Sequence, residues 1–346
     1  MAGRKGSGAL TALLMLGCGA ASTAAVADEE KKPANGVPEG SIASSLPASL
    51  ADPGGMRSAL AAKGITYQLN YIGEALSNVS GGMRRGTAAD GRLELVIDAD
   101  LEKLAAWKGA AVHVNAYQIH GVGLSREYVG NLMPVSNIEA LATTRLYEAW
   151  FEQKLFDDKL AIRAGQLGAD TEFITSNYAG LFINGTYGWP TITAVNLPSG
   201  GPAYPLATPG IRIKIDPTPQ SSFLLGVFNG DPAGPGLNDP QERNRYGLNF
   251  RVQDPPLVIG EAQFKYNQDK DARGLPGTLK LGAWAHTGRF DDLRYGTDGL
   301  PLASPLSNMM PVRHRGDYGV YGVIDQQIYR LPGGDATKGV GVFARV

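Results

Sequence analysis

The sequence predicts an all-β fold, a transmembrane antiparallel β-barrel, and three observations carry that reading. Apolar and charged residues alternate with period two in one segment after another. The connections between these segments run short and long in turn, and beyond the N-terminus no apolar stretch is long enough for a membrane helix. The composition agrees: 32 Lys+Arg against 33 Asp+Glu give a net charge of −1, which supplies no basic field for nucleic acid. Hydrophobic residues at 43% exclude disorder, and 46 Gly without a three-residue period exclude collagen.

Residues 1–27 read as a secretory signal: Arg4 and Lys5, an apolar run from Ala9 to Leu16, then Ala25-Val26-Ala27 before Asp28, with cleavage near Ala27. The only cysteine, Cys18, lies inside it, so the mature chain has neither disulfides nor thiolate metal sites. Residues 28–55 are polar and Pro/Gly-punctuated, a flexible periplasmic leader, and 56–64 form a short helix. Residues 65–346 form the barrel. Ile65, Tyr67, Leu69 and Tyr71 alternate with Thr66, Gln68 and Asn70; Leu93, Leu95 and Ile97 alternate with Arg92, Glu94 and Asp98. Tyr147, Ala149 and Phe151 oppose Glu148, Trp150 and Glu152, and Ile211, Ile213 and Ile215 oppose Arg212 and Lys214. Tyr246, Leu248, Phe250 and Val252 read as a further strand, then Ala262, Phe264 and Tyr266 opposite Glu261, Gln263 and Lys265. The tally is about twelve strands, each with one oily and one charged face.

Tight turns such as Asp157-Asp158 alternate with long connections near 77–90, 121–143, 169–208, 230–243 and 289–315. A soluble β-sandwich shares the alternation but gives no reason for long loops on every second connection. Only between Asn244 and Phe290 does the short-long order fail.

Catalytic signatures are missing. His113, His120, His286 and His314 are scattered without metal-ligand spacing, and neither a nucleophile elbow nor a phosphate loop occurs. The sequence therefore predicts no enzyme, no metal and no cofactor. The polar parity face carries Arg92, Glu94, Asp98, Asp100, His113, Asn115, Glu148, Trp150, Glu152, Arg163, Arg212, Lys214, Lys280, Trp284 and His286. Both signs are mixed there, which suits a neutral polyhydroxyl solute better than an ion of one sign. Trp150 and Trp284 would offer apolar plates to a sugar ring. Trp107 beside Lys108 reads as a membrane-interface anchor, and Arg84 with Arg85 as part of a solvated loop, with lipopolysaccharide phosphate or an acidic solute group as the alternative contacts.

Several segments resemble a known family: Tyr117-Gln-Ile-His-Gly121, Asn131 to Ala140, Leu146 to Leu155 continuing through Ala161 to Gln166, Phe182 to Pro190, Asn196 to Pro205, and Val227 to Pro235. Over about residues 56–346 the chain is similar to the carbohydrate-selective porin (OprB) family of Gram-negative outer membranes. The resemblance implies a barrel of about sixteen strands that passes glucose and similar small sugars and is narrowed by inward loops. It sets the chain in outer-membrane lipid as a monomer or homotrimer and places the sugar path chiefly on Arg92, Glu94, Glu148, Glu152 and Arg163. The rival function is a plugged surface barrel that adheres through its long loops. Because the last segment, Gly339 to Val346, stops in mid-pattern, the sequence also predicts a C-terminally truncated barrel.

Overall fold

A computed structural model describes residues 36–38, 41–269, 272–332 and 339–346. The signal segment 1–27 and positions 28–35 of the leader lie outside the described residues. Short helical turns between Ile42 and Gly55 lead into a helix at Met56–Ala62. Asp52 accepts the Arg57 amide at 2.6 Å at the helix start, and Arg57 reaches the carbonyl of Tyr67 at 2.8 Å, tying the helix to the first strand.

Eleven strands follow among the described residues: β1 (Ile65–Asn78), β2 (Gly86–Asp100), β3 (Ala110–Gly121), β4 (Thr143–Leu155), β5 (Leu160–Leu167), β6 (Thr208–Thr218), β7 (Ser221–Asn229), β8 (Pro256–Tyr266), β9 (Gly277–Gly296), β10 (Pro311–Arg330) and β11 (Gly339–Arg345). They make one antiparallel sheet in sequence order, each strand bonded to the next. Among the described residues β1 and β11 are not paired with each other. No described helix is long and apolar enough to cross a membrane, so any crossing is made by strands.

Burial follows the alternation. On β7, Phe223, Leu225 and Val227 are exposed while Leu224 and Phe228 are buried. On β8, Leu257, Ile259, Glu261 and Gln263 are buried, whereas Phe264 is exposed. The sheet thus has an outer apolar face and an inner face that is closed over by a connection. That connection is segment 168–207, between β5 and β6, and it reaches from β4 across to β11.

Three sequence expectations are corrected. First, residues 246–252 are not a strand of the sheet but part of the long 230–255 connection. With them removed, short and long connections alternate from the β2–β3 connection to the β9–β10 connection, and the anomaly between Asn244 and Phe290 disappears. The misreading has a physical cause. β5 stops at Leu167 and leaves the β4 edge beyond Ala149 without a neighbour, and 245–247 lies along that edge. Tyr246 accepts the Leu146 amide at 3.0 Å, and Gly247 accepts the Gln166 side-chain amide at 2.7 Å. Tyr246, Leu248, Phe250 and Val252 are all exposed. The segment patches the wall with a strand-like apolar row without joining the ladder.

Second, Tyr147 does not share the outward face of Ala149 and Phe151 but is 2% exposed, on the inner face. The β3–β4 register slips between Asn115 and Ala116, giving β4 one extra residue there. Such a bulge reverses parity, so Arg145 and Tyr147 point inward below it and Glu148, Trp150 and Glu152 above it. Third, the inner face is not polar throughout: Leu224, Phe228, Leu257, Ile259 and Val323 line it beneath segment 168–207.

The wall patch yields a prediction. Gly247 has φ +69°, and a Cβ there would lie 1.8 Å from the Leu146 carbonyl oxygen. Gly247→Ala should lift the patch, and trypsin should then cut at Arg245 or Arg251 faster in the folded protein. Cleavage at the wild-type rate would show that the patch is not held by that contact.

Candidate functional site

Segment 168–207 is held by an apolar cluster and by wall carboxylates. Phe173, Ile174, Trp189 and Leu197 from the segment pack with Leu224, Phe228, Leu257, Ile259, Trp284 and Val323 from the wall. Burying each large apolar side chain contributes about 1.5–3 kcal/mol relative to exposure. The carboxylates accept the loop amides that would otherwise be buried without partners. Glu148 takes the Gly168 amide at 2.9 Å, Glu261 takes that of Ile174 at 2.8 Å, and Asp325 takes that of Asn177 at 2.9 Å. Tyr321 also donates to Glu261 at 2.8 Å, and Lys280 donates to Thr175 at 2.7 Å. Arg345 on β11 donates to the carbonyl of Gly188 at 2.7 Å.

Between β4, β5 and β6 the charges interlock. Glu152 receives Arg163 at 3.0 Å and Arg212 at 2.8 Å. Glu172, from the loop, lies 2.8 Å from Arg212 and pairs with Arg163 as well. The four side chains are 4–17% exposed and their formal charges cancel. Burial alone would raise the Glu172 carboxyl, but the Arg163 and Arg212 guanidiniums outweigh it and hold it below the usual carboxylate range. The pocket they border with Glu148 and Phe228 measures about 10 Å³, too small for any sugar.

A second polar row runs over β1 to β4. Glu94 accepts Asn115 at 2.8 Å and Asn70 at 3.3 Å. Arg92 sits over the rings of Tyr117 and Tyr204 at 4.7 and 5.1 Å. His113 contacts Asp98 at 2.8 Å and stacks on Trp150 with ring centroids 4.6 Å apart. From the opposite neighbouring strand, the Arg163 guanidinium lies 3.6 Å from the Trp150 ring centre. Tyr147 donates to the loop residue Asp170 at 2.5 Å, and Asp170 also accepts the Tyr204 amide at 2.9 Å.

The structure therefore brings Arg92, Glu94, Asp98, His113, Asn115, Glu148, Trp150, Glu152, Arg163 and Arg212 onto one continuous inner surface. It changes what the two tryptophans offer. Trp284 faces inward but is buried under the loop beside Phe173 and Ile174, and Lys280 is covered with it. Trp150 has His113 and Arg163 flanking its ring, so its edge and not an open plate is presented. Parity alone does not reveal either cover, because the covering groups come from a loop and from neighbouring strands. The sequence reading also missed Arg145, Asp170, Glu172, Tyr204 and Asp325. Asp170, Glu172 and Tyr204 belong to an aperiodic loop where no alternation marks a face.

A β-sheet with an apolar outer face, a partly polar inner face and an inward-folded segment lying over it has the build of a porin barrel wall. A sequence model of the carbohydrate-selective porin, OprB family, matches residues 84–346, and the chain belongs to that family. It is 25% identical over 310 residues to Porin B of Pseudomonas aeruginosa, which covers 86% of this chain and 64% of Porin B. It is 22% identical over 257 residues to the putative porin QuiX of Acinetobacter baylyi, covering 70% of this chain and 56% of that protein. The chain thus spans less than two thirds of the length of either relative. The high-pH structure of Pseudomonas putida OprB superposes with a TM-score of 0.71 at 24% identity, over 85% of this chain and 68% of that one. That likeness supports the fold.

Proposed function

We propose that the protein is an outer-membrane channel for passive diffusion of small carbohydrates such as glucose, exported through the signal at 1–27 and followed by a periplasmic leader at 28–55. The observation that carries this reading is the charge-balanced inner surface. Glu152, Glu172, Arg163 and Arg212 neutralise one another, so the narrowing adds no net field of either sign. Glu94, Asn115, Arg92 and His113 extend that surface with donors and acceptors for hydroxyl groups, while Trp150 supplies an apolar edge. These residues form the solute path, and the outer apolar row meets lipid and lipopolysaccharide.

Liposome swelling tests it. Proteoliposomes should swell with glucose and xylose and far more slowly with a trisaccharide, and glucose should reduce ion current in planar bilayers. Absence of glucose flux in protein that inserts and is folded would overturn the reading.

A further inference from the structure

At the long-connection end of β9 and β10 the inner wall carries a second feature, above the loop-covered cluster. A cavity of about 550 Å³ opens there, bordered by His286, Arg289, Arg313, Arg315, Asp231 and Asp254. The β9–β10 register slips between Arg315 and Asp317, where Arg315 pairs with Arg289 and Asp317 with His286. Both arginines border the cavity together with His286. Arg289 and Arg315 are thus direct register partners on adjacent strands and line one cavity. Like charges placed so repel, and among the described residues neither Arg289 nor Arg315 has an acidic partner.

The acids at the rim do not relieve them. Asp254 is held by Arg251 at 2.6 and 2.7 Å and by Asn229 at 3.0 Å. Arg313 is paired with Asp291 at 3.2 Å. Asp231, which borders the cavity, accepts Ser199 at 2.5 Å and the Gly234 amide at 2.9 Å, both on Oδ1, and among the described residues Oδ2 has no partner. His286 is spoken for on both nitrogens: Nδ1 accepts the Gly288 amide at 3.0 Å, so Nε2 donates to the Gly230 carbonyl at 3.1 Å and the ring is neutral. The cavity therefore holds two unneutralised cations beside one free carboxylate oxygen.

We propose that this cavity is a recruitment site for sugar acids, polyhydroxylated carboxylates whose carboxylate bridges Arg289 and Arg315 while a hydroxyl donates to Asp231 Oδ2. It rests on the channel reading above and names a solute class for it. A carboxylate between two guanidiniums removes their repulsion and gains charge-assisted hydrogen bonds. The volume admits a monosaccharide-sized solute with its water, and the site lies before the narrowing, where capture raises local concentration without closing the path.

The test is single-channel block in planar bilayers with gluconate, glucose and inorganic phosphate. Gluconate should block wild-type channels at lower concentration than glucose. Arg289→Gln/Arg315→Gln should raise the gluconate half-blocking concentration about tenfold or more, as expected for loss of charge-assisted bonds, and leave glucose block unchanged. Asp231→Asn should weaken gluconate block and leave phosphate block unchanged. Gluconate block equal to that of glucose, or unmoved by the double substitution, overturns the proposal while the channel reading stands. Phosphate as potent as gluconate also overturns it, since the site would then read charge alone. Both arginines are exposed, so the variants are expected to fold, which retained wild-type conductance verifies.

Discussion

Glu172→Gln should free segment 168–207 and turn a narrowed channel into a wide, noisy one. The substitution leaves Arg212, 4% exposed, and Arg163 with only Glu152 between them. Removing one partner of a buried ion pair typically costs about 3–5 kcal/mol, because the remaining charge stays desolvated. Here that cost falls on loop docking, since Glu172 is the member that the loop contributes. Single-channel conductance should rise severalfold, and the urea midpoint of the folded protein should fall. Pairing it with Arg163→Met restores the charge balance and should recover part of both losses. Wild-type conductance in the single variant would remove Glu172 from the fastening.

Acid should mimic that substitution. A carboxyl whose folded value is depressed contributes stability that is present above its unfolded value, near 4.3, and is lost as pH falls through the lower folded value. Docking by Glu172 should hold from neutral pH down to about 4.3 and weaken below it. Raising the pH from 7 to 9 should change nothing at this carboxyl.

Leu225→Arg should abolish insertion, whereas its neighbour Leu224→Ala should insert and then leak. Leu225 lies midway along β7 between Ile213 of β6 and Gly260 of β8, exposed on the outer face. An Arg near the bilayer midplane costs about 2–4 kcal/mol. Leu224 is 7% exposed within the cluster that includes Phe173 and Trp189. Trimming it to Ala removes about 2–5 kcal/mol of packing from the loop contact and none from the lipid face. The fraction of folded protein in vesicles reads the first effect, and conductance of the inserted protein reads the second. Equal insertion defects in both variants would contradict the two-faced assignment of β7.

How much of this was legible follows from what the signals measure. Alternation reports which face a residue takes on a regular strand, as on β2, where Glu94 is buried and Leu93 and Ile97 are exposed. It fails where the backbone breaks period two, as at the β4 bulge that turns Tyr147 inward. It also responds to any chain that lies flat on an apolar boundary, which is why 246–252 imitated a strand. Covers are invisible to it, because whether Trp284 is bare or buried depends on Phe173 and Ile174, distant in sequence and in an aperiodic loop. The apolar inward positions Leu257 and Ile259 point the same way: without the loop above them they read as ordinary strand residues.

The fastenings of segment 168–207 also order events during biogenesis. Its first anchor, Glu148, precedes it in the chain, but the partners of Ile174, Ser176 and the Gly188 carbonyl come 87, 149 and 157 residues later. Loop-closure entropy makes such remote contacts late to form, so the segment cannot seat until β8, β10 and β11 are in position. Until then Phe173 and Trp189 are without their partners and stay open to solvent or to other chains. The inner face is accordingly formed open and covered late, and a fault in β8, β10 or β11 would show first as an unseated segment rather than as a broken wall.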